Sequence, residues 1–128
     1  MIYLDTNIFI YLFEVHPGFT EKTAQLLARL EQDNTFACST LSLTECLAQV
    51  TPISHDTFLA LPKLHIAPLD EKIAVRAGQL QRDSKLHIGD AIHLATALEL
   101  GCTKLLTNDL AFAKIARKHL EIVTLADA

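Results

Sequence analysis

Four carboxylates stand out by their company. Asp5 is followed by Thr6-Asn7, Asp109 is preceded by Thr107-Asn108, Asp90 sits between Gly89 and Ala91, and Glu45 lies in mid-chain. Asp5 follows Ile2-Tyr3-Leu4 and Asp90 opens an apolar stretch. A carboxylate in such a setting is expensive to bury without compensation. Carboxylates that converge on one cleft also repel one another and raise each other's pKa. A hard divalent cation, Mg²⁺ or Mn²⁺, relieves that repulsion and takes oxygen ligands. Such a centre suits phosphoryl chemistry, with water activated as nucleophile and negative charge neutralised on the phosphate.

Each acid also has a plainer reading. Ser42-Leu43-Thr44-Glu45 fits a capping box. Asp5 and Asp109 are candidate N-caps, and Asp90 can complement a helix dipole. At the level of residue types these readings stay open, although four together favour the metal–phosphate site.

The elements that must position these acids alternate. Ile2 to Leu4, Thr35 to Ser39, Leu64 to Ala67, Lys104 to Thr107 and Glu121 to Leu125 read as short strands. Helices are expected over Asn7 to Phe13, Thr20 to Gln32, Thr40 to Val50, Asp70 to Ser84, Gly89 to Leu100 and Asp109 to His119, with a short one over Asp56 to Leu61. His16-Pro17-Gly18 breaks the first of them, and Asp70 is a plausible N-cap of the fourth. The helix after Gly89 is apolar nearly all round, so it should be largely buried. Short apolar strands between helices imply a parallel sheet covered on both faces. The expected fold class is α/β, a three-layer α/β/α sandwich forming one domain over residues 1–128. In such sheets the working site lies beyond the carboxyl ends of the strands, where these acids fall.

Composition narrows the classes further. The 128 residues carry 15 Asp plus Glu against 11 Lys plus Arg, a net charge of −4, so no basic excess advertises a nucleic-acid partner. That deficit lies entirely in residues 1–64, with 7 acids and 3 bases; residues 65–128 hold 8 of each. The four site acids alone equal the −4, so the balance reads as the charge of an empty metal site. Half the residues are hydrophobic, which excludes disorder. The longest unbroken apolar run, Ile8 to Phe13, is far short of the ~20 residues a spanning helix needs. The start of the chain lacks the pattern of a signal peptide. Cys38, Cys46 and Cys102 have no metal-like spacing and are expected as reduced core residues in a cytoplasmic protein.

Taken in order, Asp5-Thr6-Asn7 after an N-terminal strand, Glu45, Gly89-Asp90-Ala91 opening an apolar helix, and Thr107-Asn108-Asp109 after the next strand resemble the PIN domain. Within it the similarity is to the VapC-type toxins of toxin–antitoxin operons, over residues 2 to 125. The resemblance implies a parallel five-stranded sheet of order 3-2-1-4-5 and Mg²⁺- or Mn²⁺-dependent endoribonuclease activity. It implies RNA products with 5′-phosphate and 3′-hydroxyl ends, a cognate antitoxin partner and a homodimer. Asp5, Glu45, Asp90 and Asp109 match its acidic quartet, with Asp5 and Asp90 the steadiest metal ligands. Thr6 and Thr107 match hydroxyls that orient the acids or contact phosphate, and Asn7 and Asn108 support the turns. Residues 50–63 are short for the family pattern, which leaves the substrate groove and dimer mode open.

Other residues are candidates for contact with RNA. Arg82 and Lys85 share a helix face close in sequence to Asp90, and His87 and His93 flank it; Arg76 and Lys104 are further cations of this half. For His93 the plainer place is in the core or at the rim. Rival functions are a catalytically silent PIN-like module that binds RNA or protein, and a phosphatase or phospho-acceptor receiver. The last two fit poorly. Asn7 stands where the haloacid-dehalogenase phosphatases want a second aspartate, and Ile66-Ala67-Pro68 offers a receiver no acceptor.

Overall fold

The computed structural model describes residues 1–14 and 16–127. Five strands, β1 (Ile2–Leu4), β2 (Phe36–Ser39), β3 (Leu64–Ala67), β4 (Lys104–Leu106) and β5 (Glu121–Val123), form one sheet of order β3-β2-β1-β4-β5. Every pairing is parallel, with Leu4 opposite Leu106 and Tyr3 opposite both Ala37 and Leu105. The helices are α1 (Thr6–Phe13), α2 (Thr20–Leu30), α3 (Thr40–Leu47), α4 (His55–Leu59), α5 (Glu71–Ser84), α6 (Ile88–Glu99) and α7 (Leu110–Ala116).

The two-residue period of the strands sorts the core into two layers. Ile2, Leu4, Phe36, Cys38 and Leu106 pack with Ile8 and Phe9 of α1, Leu26 of α2, Cys46 of α3 and Phe58 of α4. Tyr3, Ala37 and Leu105 point the other way, against Ile73, Ala77 and Leu80 of α5, Ala91, Leu94, Ala95 and Ala97 of α6, and Phe112, Ala113 and Ala116 of α7. This is the three-layer α/β/α architecture expected, in the expected strand order. Because β1 is central and fully buried, its apolar triplet needs no alternation with polar residues.

Helix α6 is buried as its composition requires. Asp70 caps α5, its Oδ1 accepting from the Ile73 amide at 2.9 Å. Several boundaries shift. The α3 helix stops at Leu47 instead of Val50, where Gln49 and Ile53 both turn back to the Cys46 carbonyl. The α7 helix stops at Ala116 instead of His119. Strand β5 ends at Val123, and Leu125–Asp127 is a 3₁₀ turn that packs on α2. All three cysteines are buried and free, and burial pushes their thiols up to about 12, 12 and 11 for Cys38, Cys46 and Cys102. Among the described residues no helix is long and apolar enough to cross a membrane.

Candidate active site

The site is built where β1 and β4 leave the sheet together. Their pairing brings the Asp5 amide onto the Leu106 carbonyl at 3.0 Å, so the two following turns emerge side by side. Asp5 caps α1, its Oδ1 accepting from the Thr6 amide at 2.9 Å. The other oxygen, Oδ2, accepts from the Thr107 hydroxyl at 2.7 Å. Thr107 Oγ1 in turn accepts from the Asp109 amide at 3.1 Å, and Asp109 Oδ1 caps α7 by accepting from Phe112 N at 3.1 Å. Asn7 closes the joint between the turns: its Oδ1 accepts from the Asn108 amide at 3.4 Å, and its Nδ2 lies 3.5 Å from both Asp5 and Thr107. Asn108 reaches the Tyr11 hydroxyl at 3.4 Å.

Thr6 and His93 carry the second half. Thr6 Oγ1 donates to Glu45 Oε1 at 2.6 Å and lies 3.1 Å from Ser42 Oγ and 3.2 Å from His93 Nε2. His93 Nε2 is 2.8 Å from the same Glu45 oxygen and 3.8 Å from Asp5 Oδ1. Its Nδ1 is 2.6 Å from the Tyr3 hydroxyl. The imidazole is 2 % exposed and lies beneath the acids. Asp90 stands one turn before it in the first turn of α6.

The charges are poorly balanced. Lys72 and Arg76 pair with Glu99, away from the site, and among the described residues His93 is the basic side chain within 4.0 Å of Asp5 or Glu45. Burial pushes Asp90 up to about 6, helped by the charges of Asp5 and Asp109. Burial likewise raises Asp5, against the pull of His93, Thr107 and the Thr6 amide. Burial would also raise Glu45, but the hydrogen bonds from His93 and Thr6 outweigh it and hold that carboxyl below its ordinary range. For His93, burial favours the neutral ring, while the Glu45 hydrogen bond and the charges of Asp5, Glu45 and Asp90 pull it upward and prevail.

The donor set fits a hard divalent cation. It is all oxygen and strongly anionic. Glu45 Oε2, Asp109 Oδ2 and the Asp90 carboxylate accept no hydrogen bond among the described residues. It does not form a closed cage: among the described residues no three His, Cys, Asp or Glu side chains converge tightly enough to hold an ion. Beside it a cavity of about 230 Å³ is lined by Lys85, His87, Asp90 and Asp109 over a floor that includes Leu86 and Phe112.

The four acids expected from the sequence therefore share one edge, with Thr6, Asn7, Thr107 and Asn108 between them. Lys85 and His87 open onto the same cavity; Arg82, exposed in the last turn of α5, is not part of its lining. Arg76 is engaged by Glu99 at 2.9 Å. Two expectations need correction. His93 cannot meet RNA at the surface, because it is buried with both ring nitrogens engaged. Ser42 and Glu45 form no capping box: β2 runs straight into α3, Ser39 is the N-cap with its Oγ accepting from Leu41 N at 3.0 Å, and Ser42 turns inward to Thr6. Sequence reasoning missed Tyr3, which reads as one more strand aromatic until the helix over it is known.

Comparison with known proteins gives this fold its class. Residues 2–118 match the PIN domain, and the chain belongs to that family. Among solved structures it is similar to the VapBC2 structure from Rickettsia felis, bound to a DNA fragment from its promoter, at 25% identity and TM-score 0.75, covering 97% of this chain and 98% of that one. A toxin–antitoxin complex from Klebsiella pneumoniae is 29% identical with TM-score 0.73, and 98% of each chain is covered. The sarcin–ricin loop cleaving toxin VapC20 of Mycobacterium tuberculosis shares the fold at 14% identity and TM-score 0.60, over 90% of this chain and 96% of that one. Among curated proteins none matches.

Proposed function

We propose that this protein is a Mg²⁺- or Mn²⁺-dependent endoribonuclease and the toxin of a toxin–antitoxin pair, working in the cytoplasm as a single-domain homodimer. The observation that carries this reading is the meeting of Asp5, Glu45, Asp90 and Asp109 at one sheet edge, with the buried His93 imidazole against Asp5 and Glu45. Asp5 and Asp90 would hold the cation, with Glu45 and Asp109 completing the set. When bound, the cation supplies Lewis-acid activation of water and neutralises charge on the phosphate. The chain's own part is positioning. Thr107 holds Asp5 and the Asp109 turn in one unit, Thr6 and His93 hold Glu45, and Asn7 and Asn108 lock the two turns. Lys85 and His87, on the rim of the cavity, would meet the phosphates of the RNA. The similarity to toxin–antitoxin complexes supports an antitoxin as a partner; it would inhibit through a segment placed in the acidic cleft.

The test is cleavage of an RNA panel with and without Mn²⁺, beside Asp5→Asn and Asp90→Asn. The expected result is metal-dependent cleavage giving 5′-phosphate ends that both substitutions abolish. Cleavage surviving equally in both variants overturns the site. Absence of cation binding by calorimetry would instead favour a catalytically silent binding module.

A further inference from the structure

Tyr3 lies outside the acidic motifs, yet it is the far end of a hydrogen-bonded chain that ends on one of them. Its ring is fully buried on the α6 side of β1, with its centroid 5.7 Å from that of His93. Its hydroxyl is 2.6 Å from His93 Nδ1, across 90 residues of sequence. The other ring nitrogen, Nε2, is 2.8 Å from Glu45 Oε1. A carboxylate only accepts hydrogen bonds, so Nε2 must carry its proton toward Glu45. An imidazole free at Nδ1 could flip or change tautomer and present a bare nitrogen there. A phenol fixed at Nδ1 removes that freedom. Tyr3 can serve this purpose because its ring is fully buried in the core layer under α6, which leaves the hydroxyl no solvent to turn to. Glu45 is thereby held through Oε1 by two donors, Thr6 and His93, while Oε2 is left over the start of α6, 3.7 Å from where a Cβ on Gly89 would lie.

We propose that Tyr3 is a positioning residue for the metal centre: by fixing the His93 ring it locks Glu45 Oε1 and presents Oε2 to the cation. This deepens the reading above and rests on it for the identity of the ligand; the hydrogen-bond geometry itself is testable without any metal or RNA. Tyr3→Phe removes one oxygen and leaves the ring in the core. His93→Leu fills the same space and has no nitrogen for Tyr3 to fix.

The experiment has two arms. In the first, long-range ¹H–¹⁵N NMR of the metal-free protein should show a protonated, slowly exchanging Nε2 on His93. In Tyr3→Phe that signal should broaden or split. An unprotonated Nε2 in the parent protein, or an unchanged His93 signal in Tyr3→Phe, overturns the proposal. In the second, Mn²⁺ titration by calorimetry should show Tyr3→Phe weakening the dissociation constant about 3- to 10-fold, the 10²-fold loss at the upper end of outer-shell changes being reserved for direct ligand contacts. In the His93→Leu background the same substitution should leave Mn²⁺ affinity unchanged. An equal effect in both backgrounds would mean that Tyr3 acts by packing alone, and refutes the chain. Thermal unfolding of each variant confirms that it is folded. If RNA cleavage is absent but the NMR result holds, the enzymatic reading fails and the positioning chain stands.

Discussion

Replacing Asp90 by Asn should make the metal-free protein more stable above about pH 6. In the folded chain Asp90 keeps its proton up to about 6, whereas its ordinary value is 3.8. Between those values the native state binds more protons than the unfolded state, so stability falls as the pH rises. At about 1.36 kcal/mol per pH unit the full gap amounts to ~3 kcal/mol against the charged form. Asp90 is only half-buried, and screening by solvent reduces this to ~1.5 kcal/mol. The carboxylate recovers about 0.5 kcal/mol from the first turn of α6, which Asn forgoes in part. The net gain for Asp90→Asn is therefore ~1 kcal/mol at about pH 7.5, or a rise in Tm of ~3–5 °C for a chain of this length, and it should vanish near about pH 4. Urea denaturation of chelator-treated protein at both pH values measures it. Added Mn²⁺ should then stabilise the parent and leave the variant unmoved. A loss of stability at the higher pH, or a gain that persists at the lower one, would refute the electrostatic account.

The opposite profile is expected of Glu45→Gln. Glu45 is held below its ordinary value, so it contributes stability that is present above about pH 4.5 and lost on acidification; the variant should lose ~1–2 kcal/mol at neutral pH and match the parent in acid, as read by urea denaturation at a series of pH values. Thr107→Val strips a fully buried hydroxyl from Asp5 and from the Asp109 amide, and should cost ~2 kcal/mol in the same measurement, together with Mn²⁺ affinity. Lys85 holds φ at 55° at the end of α5, so Lys85→Gly should gain ~0.5–1 kcal/mol in thermal unfolding while weakening RNA binding and flattening its salt dependence. Thr23 Oγ1 is buried without a partner among the described residues, and Thr23→Val should be neutral or gain up to ~1 kcal/mol.

The fold was legible where one kind of signal dominates. Ile2-Tyr3-Leu4 and Lys104-Leu105-Leu106 are short apolar runs between polar turns, and only a buried parallel strand uses such a segment well. Asp5 and Asp109 were legible as helix caps, and each caps with Oδ1, while Asp5 Oδ2 accepts from Thr107 and Asp109 Oδ2 accepts from none of the described residues. What the sequence could not supply was register. Ser39 and Ser42 are equally good caps on paper; the choice between them depends on β2 feeding α3 without a loop. His93 reads as either a core or a rim residue against Asp90, because spacing fixes the face and not the depth. Tyr3 is invisible for the same reason, since its partner is 90 residues away and only the packing of α6 across β1 brings them together.

The sheet order has a consequence for biosynthesis. The first strand to be translated ends up in the middle of the sheet, and one of its two neighbours, β4, is made about 100 residues later. Asp5 acquires its 2.7 Å hydroxyl contact from Thr107 only when that segment has left the ribosome. A chain interrupted before β4 has Glu45 and Asp90 in hand but neither Asp109 nor the partner that orients Asp5. A product cut off before β4 therefore leaves Asp5 without its Thr107 contact, while one cut off after Asp109 has all four acids and lacks the last helix and edge strand.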